Sequence, residues 1–145
     1  MEEIKSAIHF FSENVPFVLK GKRKVRAWIV SALLQEQKHA GIINFIFCDD
    51  AYLLPINQSY LRHDSFTDII TFDYSDHQSR VQGDIFISIE RARENARIFK
   101  VKVSDEIHRL MIHGVLHLGG YLDETPGEKA VMSQKEDYYL SLLPK

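Results

Sequence analysis

At 145 residues the chain has room for one domain, residues 1–145, with a continuous core, and nothing in its length asks for a second unit. Apolar residues at 45% and charged residues at 26% exclude the disordered and fibrous classes, and 18 basic against 20 acidic side chains, a formal charge of −2, exclude a protein that attracts polyanions with its whole surface. The single cysteine, Cys48, excludes an internal disulfide and, inside the apolar run IINFIFC, reads as a small buried hydrophobe.

The amino end, MEEIKSAIHFF, is acidic before its apolar residues and lacks a basic flank, an h-region and a small-residue cleavage site. No apolar stretch approaches the roughly 18 to 20 residues needed to cross a bilayer. A cytoplasmic, membrane-free protein is the expectation. Any contact with nucleic acid has to be local, and two basic stretches offer one: Lys20, Lys22, Arg23, Lys24 and Arg26, then Arg91, Arg93, Arg97, Lys100 and Lys102. Each by itself reads as a solvated helix face.

In chain order, IKSAIHFFSEN reads as a short strand and VPFVLKGK as a turn into a helix from about Arg23 to Lys38. That helix sets Val25, Trp28, Ile29, Ala32 and Leu33 at helical spacing, and Gly41 is expected to end it. IINFIFC is β-branched and aromatic, short enough for a buried strand. AYLLPINQSYL predicts a short helix with Pro55 in its first turn, where a missing N–H does least harm. TDIITFDY and GDIFISI read as strands that pair across the polar loop SDHQSR.

ERARENARIFK and SDEIHRLMIHGVLHLGG then carry helical periodicity. Ser104 is the expected cap of the second, whose Ile107, Leu110, Met111, Val115 and Leu118 enter the core and which Gly119 and Gly120 end. After the loop YLDETPG, a last helix runs from about Glu128 to Leu143. Phe72, Phe86, Trp28 and Met111 read as core. The mixed order of elements predicts an α+β fold with helices packed on a mixed four-stranded sheet.

His113 and His117 stand four apart on a helix, so both imidazoles project from one face within reach of a single cation. The Gly119-Gly120 break lets the chain turn back and bring a third donor, Asp123. The string HGVLHLGGYLD, from His113 to Asp123, has the layout of the metzincin zinc motif with its second residue and third ligand altered. Two imidazoles and a carboxylate suit one Zn2+ and leave a position open for water, which points to catalysis rather than scaffolding. An isolated histidine pair more often packs in a core; the glycine break and the third donor favour a zincin-like histidine helix. Proteases place their glutamate base directly after the first histidine. Gly114 stands there, which turns the expectation from peptide hydrolysis toward an anionic or activated substrate such as a phosphodiester.

At these residues the sequence resembles the YbeY-type metal-dependent endoribonucleases of ribosomal RNA maturation. HGVLHLGGYLD is similar to that family's HGxLHLxGYxH signature, NQSYLRHDSFTDIITFDY to its NxxYRxKDxPTDVLSF segment, and QGDIFIS to its LGDIxIS strand. The resemblance spans roughly Leu53 to Asp123 and implies a small α+β domain with zinc beside the histidine helix. The family's first two ligands fall on His113 and His117. Its third, usually histidine, falls on Asp123, which adds negative charge and implies a less electrophilic metal. An alternative keeps Asp123 as an outer orienter of a histidine, with Glu124 or water as ligand, but register favours Asp123.

The family's functional arginine position holds Leu61, with Arg62 one residue later, and its lysine position holds His63. Arg62 as a phosphate clamp and His63 as a phosphate or proton carrier are the catalytic expectations, each weighed against an ordinary surface loop. Thr67-Asp68 and Gly83-Asp84 resemble family residues near the cleft, though turns and caps explain them as well. Tyr121 either stacks on a base or anchors its loop in the core.

The resemblance implies a zinc-dependent, single-strand-specific endoribonuclease acting in 16S rRNA processing and ribosome quality control. Its partners would be precursor ribosomal RNA and the ribosome or small subunit, and the protein itself a monomer. The rival readings are a metallopeptidase with an unusual base and a non-catalytic ribosome assembly factor whose metal is structural.

Overall fold

Four strands lie in one mixed sheet in the order β1-β2-β4-β3: β1 (Ala7–Ser12), β2 (His39–Cys48), β3 (Ile69–Asp73) and β4 (Arg80–Ser88). The structure is a computed structural model and describes residues 7–61, 67–75 and 80–144, the side chains of residues 60 and 61 apart. β1 and β4 both run parallel to β2, with Ile8 opposite Ile43 and Ile85 opposite Phe45. β3 pairs antiparallel with β4, Ile69 opposite Ile87, across the polar loop as its sequence predicts. The α+β class with a mixed four-stranded sheet is therefore the observed architecture.

Alternation sorts the strands' side chains onto two faces. Ile43, Phe45 and Phe47 of β2 and Val81, Ile85 and Ile87 of β4 fill the main core. Over this face pack α1 (Lys22–Gln35), through Val25, Trp28, Ile29, Ala32 and Leu33, and α4 (Val103–Leu118), through Ile107, Leu110, Met111, Val115 and Leu118. The closing helix α5 (Pro126–Leu142) adds Met132 and Tyr139, and Trp28 donates its indole N–H to the Tyr139 carbonyl at 2.6 Å. On the opposite face Cys48, Leu53 and Ile70 make a smaller core with half-buried Phe72 and Phe86, covered by α2 (Asp50–Ile56). Burial raises the Cys48 thiol to about 12, so it stays protonated and acts as a hydrophobe. α3 (Ile89–Phe99) joins β4 to α4.

Four local expectations change. Gly41 does not end α1. The helix stops at Gln35 in a Schellman turn, Gln37 taking φ 61° while the Lys38 N–H reaches the Leu33 carbonyl at 2.8 Å. Gly41 lies in β2 beside a register shift, where a Cβ would stand 2.4 Å from Gln82 Cγ, so the glycine makes room for the Gln82 and Arg80 side chains of the neighbouring strand and does not form a turn. Pro55 sits late in α2, not in its first turn, and the chain widens directly afterwards into a π turn at Asn57–Leu61. A missing donor and the ring's bulk disfavour continued α-helical pairing there.

Ser104 is the second residue of α4 rather than its cap; the helix starts at Val103, with Asp105 and Glu106 in the first turn facing the positive end of its dipole. Asp84 accepts from Asn44 Nδ2 at 3.0 Å across the strands, and a Cβ on Gly83 would meet the Phe72 carbonyl oxygen at 2.3 Å. Both residues serve the sheet and not the cleft. Among the described residues no helix is long and apolar enough to cross a membrane.

Candidate metal centre

α4 presents two different faces at its carboxyl-terminal half. Gly114 faces the sheet so closely that a Cβ would lie 2.8 Å from Ile85 Cγ2 and 3.2 Å from Ile69 Cδ1. The contact presses the helix onto β3 and β4 and turns His113 and His117 outward, with ring centroids 4.7 Å apart. The helix then closes in a second Schellman turn: the Gly120 N–H bonds the His117 carbonyl and the Tyr121 N–H the Leu116 carbonyl, each at 3.0 Å. Gly120 takes φ 106°, which a side chain would resist.

That turn aims the next residues back across the helix end. Tyr121 donates its hydroxyl to Glu36 Oε1 at 2.5 Å, and Lys135 and Tyr139 both donate to Glu36 Oε2. Tyr121 thus anchors its loop instead of offering a stacking face. Two residues beyond Asp123, Thr125 and Glu128 form a capping box that starts α5. Held on both sides, Asp123 points its carboxylate between the imidazoles, Oδ2 at 3.3 Å from His113 Nε2 and Oδ1 at 3.2 Å from His117 Nε2. One donor atom from each of the three residues falls within 4.8 Å of the other two, a grouping able to hold a metal ion. Glu124 is exposed and its N–H is engaged by Glu128, so the carboxylate facing the histidines is Asp123.

Behind the histidines stands a residue that sequence reasoning missed. Glu136 is 6% exposed; its Oε2 lies 2.6 Å from His113 Nδ1 and its Oε1 accepts from Arg109 at 2.9 Å. A carboxylate can only accept, so in this contact Nδ1 is the donor and Nε2 is the nitrogen left facing Asp123, the atom that would meet a metal. Burial pushes the His113 pKa down, but the hydrogen bond and charge of Glu136, with Asp123 and Asp68, outweigh it and the net shift is upward. A signal for Glu136 existed in the sequence: on α5 it occupies the inward stripe between Met132 and Tyr139, where a lone acid requires a partner.

Two adjoining clefts share this floor. One, about 470 Å3, runs past Thr67, Asp68 and Thr71 of the β3 edge; the other, about 510 Å3, runs past Phe99, Val101 and Lys129. Asp68 is steadied by Asn95 Nδ2 at 3.0 Å, and the same amide reaches the buried Glu106, whose pKa burial raises. Arg62 and His63 lie outside the described residues.

An α+β sheet carrying a histidine helix and a returning carboxylate defines the class, a small domain with a candidate metal site, and comparison with known proteins gives it a family. The profile of the family Endoribonuclease YbeY matches residues 10–144. The chain is 44% identical to the Endoribonuclease YbeY of Cytophaga hutchinsonii over 95% of this chain and 96% of that one, and 49% identical to that of Flavobacterium psychrophilum over 91% and 94%. A Thermotoga maritima protein solved in solution superposes with a TM-score of 0.66 at 25% identity, covering 94% of this chain and 88% of its own. The chain belongs to the YbeY endoribonuclease family.

Proposed function

We propose that residues 1–145 act as one zinc-dependent, single-strand-specific endoribonuclease domain in ribosomal RNA maturation, including 16S rRNA processing and ribosome quality control. His113, His117 and Asp123 hold the ion. The observation that carries this reading is the pair of Nε2 atoms facing one carboxylate on a cleft floor, in a chain of the YbeY family. Two imidazoles and a carboxylate form a zinc donor set. When bound, zinc supplies Lewis-acid stabilisation of charge on phosphate oxygens and makes water more acidic.

The rest of the work falls to the chain. Glu136 accepts from His113 Nδ1 and orients that ring, and Arg109 pairs with Glu136 from its other side. The anchored Tyr121 loop sets the position of Asp123. Arg62 and His63 are assigned to steadying the phosphate as charge develops. The metallopeptidase reading loses its base for a steric reason: position 114 faces Ile85 and Ile69, so a glutamate there has no room to reach the cleft.

The test is cleavage of ribosomal RNA precursor fragments by the pure full chain and by His113→Ala, with metal content measured in both. Metal-dependent cleavage lost in the variant supports the reading. Equal activity in the two overturns it, and ribosome binding without any cut phosphodiester supports the assembly-factor reading instead.

A further inference from the structure

The turn between α3 and α4 puts apolar side chains where burial would be expected. Phe99 is 63% exposed, Val101 46% and Val103 39%, and Ile98 beside them is 57% exposed. Lys100, between the first two, caps α3 in the left-handed region at φ 58°, which swings the chain outward. Phe99 and Val101 form one rim of the 510 Å3 cleft whose floor includes His113 and Asp123, and Lys129 of α5 stands on the same cleft. Of the second basic stretch, Arg91 is paired with Asp50 and Arg97 with Glu94. Lys100 and Lys102, which flank Val101, are exposed and have no carboxylate partner among the described residues.

An exposed aromatic ring beside exposed lysines, continuous with a metal-binding floor, matches one ligand chemistry better than others. Unpaired RNA bases stack on aromatic faces while cationic side chains follow the backbone between them. The cleft volume lies inside the roughly 300 to 1,000 Å3 typical of small-ligand sites. Its carboxylates do not oppose such a ligand. Glu136 is paired with Arg109, Asp123 faces the two imidazoles, and Glu106 is buried and accepts from the Asn95 amide.

We infer that Phe99, with Val101, Met132 and Lys129 lining the same cleft and the exposed Lys100 and Lys102 next to it along the chain, forms a subsite that stacks one unpaired nucleobase of single-stranded RNA next to the scissile phosphate. The inference rests on the endoribonuclease reading and deepens it: the ring selects unpaired strands, since a base inside a duplex keeps its faces covered by its neighbours.

The experiment uses the full zinc-loaded chain, Phe99→Ala and Phe99→Tyr, with labelled single-stranded and duplex oligoribonucleotides and a single-stranded series lacking one base at successive positions. Removing a stacked ring is expected to weaken single-strand affinity by roughly five- to 150-fold. Phe99→Tyr keeps the wild-type affinity, and one base-less position penalises wild type but not Phe99→Ala. Unchanged single-strand binding by Phe99→Ala overturns the subsite, as does an equal loss on duplex RNA. So does sedimentation showing a wild-type dimer that Phe99→Ala dissociates, because the patch is then a contact between copies of the chain. Binding is read without cleavage. If single strands bind through Phe99 but are never cut, the subsite stands and the endoribonuclease reading falls.

Discussion

Glu136 Oε2 sits 2.6 Å from His113 Nδ1 although 23 positions and a helix boundary separate the two residues, and this one contact decides which imidazole nitrogen faces the cleft. Replacing Glu136 by glutamine keeps the size and one acceptor but removes the charge that favours an Nδ1 proton. Partners of this kind typically contribute ten- to hundredfold to metal affinity. Glu136→Gln is expected to bind zinc about ten- to hundredfold more weakly by competition titration, with unchanged far-ultraviolet circular dichroism. Wild-type affinity in that variant would mean His113 is oriented by packing alone.

Zinc should also stabilise the fold, because the three donors meet only in the native state. At a hundredfold excess over the dissociation constant the gain is about 2.7 kcal/mol. Thermal melts with and without zinc are therefore expected to differ by several degrees for wild type and to coincide for Asp123→Ala. A full zinc shift in Asp123→Ala would move the third ligand elsewhere, Glu124 being the next donor along the chain.

Gly114 sets helix propensity against space. Alanine gains roughly 1 kcal/mol over glycine in a helix interior, whereas overfilling a packed core loses about 1 to 3 kcal/mol. A Cβ 2.8 Å from Ile85, itself fully buried, puts the balance on the side of loss. Gly114→Ala should unfold at lower urea concentration with an unchanged m-value, and Gly114→Glu should be worse and acquire no peptidase activity. A stabilised Gly114→Ala would show that α4 can lift from the sheet.

Glu36 ties the end of α1 to the metal loop and to α5. Burial raises its pKa, but the hydrogen bonds from Tyr121, Tyr139 and Lys135 lower it further, leaving it below the ordinary glutamate value. A depressed folded-state pKa contributes stability that is fully present above the unfolded pKa and is lost as pH falls through the folded value. Glu36→Gln is expected to lose about 1.5 to 3 kcal/mol at neutral pH, with the gap to wild type narrowing below about pH 4.5. Denaturant titrations at pH 7 and pH 3 check this, and a gap of constant size would place the interaction outside the charge of Glu36.

Much of the scaffold was legible because its signals are local. The short β-branched and aromatic runs IINFIFC and GDIFISI, the inward stripe of α1 and the four-residue spacing of His113 and His117 are each properties of a single element. The Gly119-Gly120 break reported a turn for the same reason, and the resemblance of HGVLHLGGYLD to one family signature named the three converging side chains. Glycine and proline were the weakest guides: Gly41 and Gly83 lie within strands and answer to their neighbours rather than to turns, and Pro55 sits late in α2, with the chain widening directly after it.

By itself, then, the chain's linear order determined the elements, the α+β class and the three donors, since these depend on contacts a few residues apart. Only the tertiary structure decided that Glu136 and Arg109 stand behind His113, that Glu36 holds Tyr121, and that the Phe99 rim opens onto the same floor as Asp123. Those contacts join helices whose relative placement comes from packing on a shared sheet, and no local periodicity encodes which residues that packing brings face to face.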